Sequence, residues 1–233
     1  MTWGIVGLGW LGHELSKVLK GRGECCWGTH RSDFTFGKDS FPNYPARILF
    51  LNTPPLTELN PRTFADEISS EAEQIIFISS TSVYGNLKGV CTEDTLPAPQ
   101  TKRAQWLVEV EKQLLDRFDQ KLLIIRPGGL IGEDRHPVYS IPKDRELEGG
   151  KDVVNLIHRK DLIEIIIRSS NLGFTGILNA VSPEHPEKGS YYCEMATRLG
   201  LDIPLYKDSS KNSKEVNSLH VGNFFKDWTS LIF

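Results

Sequence analysis

Cysteine is scarce in this chain of 233 residues: Cys25, Cys26, Cys91 and Cys193 are scattered, the first two adjacent, with no Cys-x-x-Cys and no metal-ligand spacing. That pattern excludes a disulfide framework and a zinc finger, and no metal is expected. The thiols read as buried or incidental groups in a reducing compartment. No apolar run is long enough to span a bilayer, which excludes an integral membrane helix. Charge of one sign is not in excess either. A formal net charge of −3 leaves no footprint for nucleic acid or an anionic membrane. No leader-type run precedes the first strand, so a cytoplasmic location is expected. Repeats and low-complexity segments are absent. What remains, 39% hydrophobic and 24% charged residues, is the composition of an ordinary globular protein.

Apolar runs of strand length alternate with stretches of helical period. Trp3–Val6 is a short buried run, followed by a helix with Leu11, Leu15, Val18 and Leu19 on one face and Gly21 and Gly23 at its end. Glu24–Gly28, Ile48–Leu51, Ile75–Ile78 and Leu122–Ile125 read as further strands. Asn60–Pro61 is an N-cap with proline at the first helical position, opening a helix through about Glu73. A longer amphipathic helix is expected from about Thr101 to Phe118. Val153–Ile157, a helix from about Lys160 to Ser169, and Ile177–Ala180 add another crossover. Strands apolar throughout and separated by helices imply a parallel sheet covered on both faces, an α/β fold of the doubly wound Rossmann type. Residues 1–131, completed by 153–181, would form the nucleotide-binding domain. Residues 132–152 and 182–233, richer in Pro, Gly and charge, would form a small C-terminal substrate lobe.

Gly7–Leu8–Gly9–Trp10–Leu11–Gly12 lies between the first strand and the first helix. In a dinucleotide-binding loop of this form the first glycine permits the tight turn and the second lets backbone approach the pyrophosphate. The third allows helix and strand to pack closely, and the helix N-terminus supplies amide donors. The other reading is a structural strand-to-helix turn. Thr29, at the end of the second strand, and Asn52, Thr53 and Pro54, at the end of the third, fall where a cofactor would run. The second strand ends Gly28–Thr29–His30–Arg31–Ser32, with the nearest acid, Asp33, past the arginine. An acid at that place suits NAD and a cation suits the 2′-phosphate, so NADP is preferred over NAD, with Arg31 on the phosphate. A solvated surface arginine is the alternative.

Ser79–Ser80–Thr81–Ser82–Val83–Tyr84–Gly85, with the glycine loop, resembles the extended short-chain dehydrogenase/reductase superfamily, the NAD(P)-dependent nucleotide-sugar epimerases and dehydratases. The similarity continues in order: Glu93, Pro97 and Pro99; Ile125–Arg126–Pro127–Gly128–Gly129–Leu130–Ile131–Gly132; Asn155–Leu156–Ile157–His158–Arg159–Lys160–Asp161–Leu162; and Gly176–Ile177–Leu178–Asn179–Ala180. The resemblance implies that Ser80 hydrogen-bonds the reacting oxygen. It also implies that Ser79, Arg126, Pro127 and Gly128 lie along the cofactor, and that a homodimer forms through the helix near Trp106.

The chain departs from that family at its proton-transfer pair, a tyrosine four residues before a lysine. With Glu111 as the family's following glutamate, Arg103 takes the tyrosine position and Leu107 the lysine position. No tyrosine occurs in Gln100–Leu107, and Tyr84 sits on the strand-end turn. Leucine can neither hold a ribose nor tune a phenol, and arginine stays protonated. The chain thus looks like the atypical branch of the superfamily that lacks the pair. Ser80 and Arg103 are the candidate catalytic residues. Arg126 could clamp an anionic substrate or be structural. His13, Arg135, His136 and a His158–Asp161 dyad are weaker candidates, and Trp106 reads as core. Two functions follow: an NADP-dependent epimerase, dehydratase or reductase acting on a small molecule such as a sugar nucleotide, or a non-catalytic NADP(H)-binding sensor or scaffold.

Overall fold

The computed structural model describes residues 1–69, 71–211 and 214–232. Ser70, in the helix expected to run to Glu73, and Asn212, Ser213 and Phe233, in the expected C-terminal lobe, lie outside the described residues. In chain order the elements are β1 (Thr2–Val6), α1 (Trp10–Gly21), β2 (Cys25–Thr29), β3 (Ile48–Leu51), α2 (Pro61–Glu67), β4 (Gln74–Ile78) and β5 (Gly89–Cys91). Then follow α3 (Lys102–Phe118), β6 (Leu122–Pro127), β7 (Gly129–Ile131), β8 (Leu156–His158), α4 (Arg159–Asn171), β9 (Gly176–Ala180), α5 (Lys188–Arg198) and β10 (Lys214–Val216). They divide into two compact units. Met1–Val83, Pro99–Arg126 and Ile166–Leu178 form one; Tyr84–Ala98, Pro127–Ile165 and Asn179–Phe233 form the other.

The first unit is built on a six-stranded parallel sheet in the order β2-β1-β3-β4-β6-β9. β1, β3, β4 and β6 read as continuous apolar runs because they are buried on both faces; Ile48–Leu51 and Leu122–Ile125 are almost wholly inaccessible. Chain connections run outward from β1 to β2, then cross back to β3 on the other side of β1. That reversal opens a crevice at the carboxyl ends of β1 and β3. Residues 30–47 contain neither helix nor strand, so the strand that would flank β2 in a 3-2-1-4-5-6 sheet is missing. Aromatic packing holds this segment instead. Phe34 meets Phe36 edge-on at 4.8 Å, Phe36 lies 4.3 Å from Phe64, and Phe64 meets Trp106 at 5.3 Å. Trp106 is core, its indole N–H donating to the Leu59 carbonyl at 2.7 Å.

Local signals hold for α1, α2 and α3. Thr101 caps α3 by accepting from the Ala104 amide, and Asn60 caps α2 ahead of Pro61. α2 nevertheless stops at Glu67, short of the expected Glu73. Ile68 adopts extended backbone and, with Ala72, buries its side chain from outside the helix.

The second unit corrects one expected pairing. Val153–Ile157 does not join the main sheet; the strand is Leu156–His158, and it pairs in parallel with Gly129–Ile131 as a separate ladder. Lys214–Val216 pairs likewise with Gly89–Cys91. The unit has its own core of Ile131, Val138, Val154, Leu156, Tyr191, Tyr192, Met195, Ala196 and Leu231. His136 lies buried beside it rather than on a substrate surface. Its Nδ1 accepts from the Val138 amide at 3.1 Å, so the neutral ring donates Nε2–H to Tyr191 Oη at 2.8 Å, and that hydroxyl donates to the Leu231 carbonyl. Burial lowers the His136 pKa to about 4. The folded state therefore favours the neutral ring. Its stabilisation is complete above the unfolded value of about 6.5 and is lost as pH falls toward 4, an effect of about 3 kcal/mol. Urea titrations of the wild type and a His136→Asn variant at pH 7 and pH 4 should show their stability gap narrowing in acid. A gap that stays constant would mean the ring titrates alike in the folded and unfolded chain.

Candidate functional site

At the end of β1 the chain turns through Gly7, whose φ of +107° lies in the region that favours glycine. A Cβ there would meet the Asn52 carbonyl oxygen at 2.1 Å, and one on Gly12 would meet the Gly7 carbonyl oxygen at 2.3 Å. The loop is thus clamped against the end of β3. Asn52 Nδ2 donates to the Gly7 carbonyl at 3.1 Å, and the Leu8 amide donates to the Thr29 carbonyl at 2.8 Å. Gly9 differs. A Cβ on it would find nothing within 4 Å, although the residue caps a helix of 12 residues. α1 has no side-chain cap and no acid in its first turn, so its amide dipoles face an open space. Leu11 is buried in the core, as its place in the apolar stripe requires.

Beneath this loop the first unit holds a cavity of about 290 Å³ walled by Gly7, Thr29, Arg31, Asn52, Thr53 and Pro54, all expected from the sequence. The same wall includes Phe34, Phe36, Pro55 and Leu56, which the sequence reasoning missed. The alternation Phe34–Thr35–Phe36 was the available signal. The Arg31 guanidinium is exposed and makes no hydrogen bond or ion pair with the described residues. Asp33 is engaged elsewhere. Its carboxylate accepts from the His30 amide and the Ser32 hydroxyl, and that backbone hydrogen bond holds its pKa below the usual carboxylate range.

A second cavity of about 190 Å³, also within the first unit, is walled by Thr53, Pro55, Ile78, Ser79, Ser80, Ser82, Arg103 and Leu107. Arg103 lines both cavities. Leu107, on the next turn of α3, is buried. The structure therefore gathers Ser80, Arg103 and Leu107 at one place, as the register on Glu111 predicted. Ser80 Oγ accepts from the Ser82 amide at 3.1 Å, which leaves its own proton available. Thr53 Oγ1 is the only buried side-chain oxygen or nitrogen without a hydrogen-bond partner among the described residues.

Arg126 is a correction. It was expected along the cofactor or on an anionic substrate, yet its side chain is about 2% exposed. Its Nε and Nη2 donate to the two carboxylate oxygens of Glu111 at 3.1 and 2.6 Å. The Ser79 hydroxyl donates to the same carboxylate. A guanidinium paired at both ends inside the core has no fork left for a ligand. Pro127 and Gly128 fall in the second unit, buried, with the Gly128 amide donating to the Ala180 carbonyl. Tyr84 is also structural, its hydroxyl within bonding distance of the Thr92 carbonyl and Asn179 Oδ1. Glu93 ties the Asn179 amide to the Ser218 hydroxyl and the Leu219 amide. Asp161 accepts from the Thr229 amide and hydroxyl, and the His158 ring is held by the Lys160 amide. His13 is exposed on α1. No group of three metal-ligating side chains occurs among the described residues, and no helix there is long and apolar enough to cross a membrane.

A parallel sheet whose strand order reverses beside a glycine loop at the end of β1 is an α/β arrangement of the Rossmann type. Solved structures that share its fold include a functionally unknown conserved protein from Silicibacter pomeroyi DSS, with a TM-score of 0.76 at 20% identity over 95% of this chain and 91% of that one. MoeE5, in complex with UDP-glucose and NAD, superposes with a TM-score of 0.74 at 16% identity, over 99% of this chain and 95% of that one. The human epimerase family protein SDR39U1, with NADPH, gives 0.69 at 14% identity, over 88% and 82%. In sequence, Protein YeeZ of Escherichia coli (strain K12) is 28% identical across 90% of this chain and 88% of its own length. No family model matches the chain.

Proposed function

We propose that the first unit binds NADP(H) and that the protein is an atypical epimerase, dehydratase or reductase acting in the cytoplasm on a carbonyl substrate, with sugar nucleotides among the candidates. One observation carries the reading: Gly9 leaves its Cβ direction empty at the uncapped end of α1, above the cleft that Arg31 lines. A pyrophosphate fits that cradle, and Arg31 would hold the 2′-phosphate, since Asp33 is tied into its own turn. The NAD and NADPH held by MoeE5 and SDR39U1, and the UDP-glucose of MoeE5, support this choice.

When bound, the nicotinamide exchanges a hydride with carbon. The protein's own part lies in the smaller cavity. The Ser80 hydroxyl, whose oxygen is already bonded to the Ser82 amide, points its proton at an incoming oxygen. Arg103 places a permanent charge beside it, stabilising an oxyanion without giving up a proton. Leu107 excludes water and contributes no charge. That last residue is also the observation favouring the second reading, a non-catalytic NADP(H) sensor, because it stands where the family's lysine belongs.

The reading is checked by following NADPH fluorescence on titration with protein. Saturable binding is expected, and Arg31→Ala should weaken NADPH by about tenfold while NADH changes little. Absence of binding to either nucleotide would end the proposal. NADPH oxidation above background with any member of a carbonyl and sugar-nucleotide panel selects the enzyme. Background rates throughout, with binding intact, select the sensor.

A further inference from the structure

We infer that the cavity walled by Thr53, Ser80 and Arg103 is a receptor for an oxyanion, so that the substrate carries a carboxylate or phosphate beside its reacting carbonyl. The inference rests on the reading of this cavity as the reacting site, and concerns which molecules enter it.

The hydrogen-bonding inventory of the cavity leads there. The Arg103 guanidinium, which can only donate, makes no hydrogen bond or ion pair with the described residues. Ser80 accepts from a backbone amide and therefore also offers its proton. The one hydroxyl whose proton is taken is that of Ser79, held by Glu111. No carboxylate lines the cavity, and the nearest, that of Glu111, is neutralised by Arg126. A guanidinium with no carboxylate in the cavity wall, beside a hydroxyl whose proton is free to turn inward, matches an oxyanion better than a neutral hydroxyl-bearing ring. Size agrees. A volume of about 190 Å³ is equivalent to about six waters at about 30 Å³ each, enough for a three-carbon acid or a phosphate group. The tyrosine and lysine expected by resemblance would have made this a proton-transfer site. Arg103 and Leu107 make it a charge-recognition site.

Calorimetric titration with pyruvate, inorganic phosphate and the neutral isostere pyruvamide, on protein with and without NADP, tests this. Pyruvate or phosphate should bind and pyruvamide should not, with affinity falling as salt rises. Which of the two anions binds more tightly assigns the carboxylate or the phosphate. Arg103 is exposed on the first turn of α3, so Arg103→Leu should fold normally. It should weaken the anion by about tenfold, and Arg103→Lys should recover part of the loss. Equal binding of pyruvamide, or no anion binding with or without NADP, overturns the inference. So does an Arg103→Leu loss that falls equally on NADPH, which would assign the guanidinium to the cofactor. Failure of NADPH to bind would sink the proposed function alone, because the anion titration of unloaded protein still decides this point.

Discussion

Replacing Glu111 with alanine should cost about 3–5 kcal/mol of unfolding free energy, the range for removing one partner of a buried ion pair. Glu111 and Arg126 are almost wholly inaccessible, and the carboxylate receives both guanidinium nitrogens and the Ser79 hydroxyl. Truncation leaves a cation in the core without the carboxylate that holds two of its nitrogens. Glu111→Gln keeps the shape and one acceptor but still strands the charge, so it should lose nearly as much. The double change Glu111→Leu with Arg126→Met removes both charges and should recover most of the loss, since a buried pair contributes little net stability over apolar groups of similar volume. Urea denaturation with linear extrapolation measures all three. A loss under about 1 kcal/mol for Glu111→Ala would mean that water reaches the pair.

The glycine loop should separate stability from binding. Gly9→Ala adds a methyl group where the protein has no atom within 4 Å, so the thermal midpoint should hardly move. Bound dinucleotide would meet that methyl group, and NADPH affinity should fall by about a hundredfold or more, as expected for a position where backbone approaches the pyrophosphate. Gly7→Ala is the converse. Its φ of +107° and the Asn52 carbonyl at 2.1 Å oppose any side chain. A cost of about 2 kcal/mol or more is expected, with binding lost as a consequence of the distorted loop. Scanning calorimetry and fluorescence titration of both variants decide the matter. If Gly9→Ala binds NADPH as the wild type does, the loop is a structural turn.

Why some of this was legible in the sequence, and some not, comes down to the range of the forces involved. Gly7 and Gly12 could be read because each answers a local backbone demand. β3, β4 and β6 could be read because strands covered on both faces are apolar at every position. Arg103 and Leu107 line one cavity with Ser80, and the sequence brought them together only through the family resemblance, with Glu111 setting the register. Arg126 was misplaced because its fate depends on Glu111, a residue on a different element, and no local pattern announces such a partner. Val153–Ile157 was apolar enough for a sheet strand, but strand pairing is a long-range choice, and Gly129–Ile131 took the ladder. The wall formed by Phe34 and Phe36 was missed because their alternation spans only three residues of a segment that forms neither helix nor strand.

That segment has a consequence for how the protein can change. A wall made of strands alters length only by slipping register, which turns every side chain over. Residues 30–47 replace a strand with a loop anchored by aromatic rings, and a loop can gain or lose one residue at a time. The side of the cleft that carries Arg31 is therefore its most easily remodelled part. Under the proposed function, nucleotide preference would drift there by insertion and deletion while the sheet, the glycine loop and the surroundings of Arg103 stay where they are.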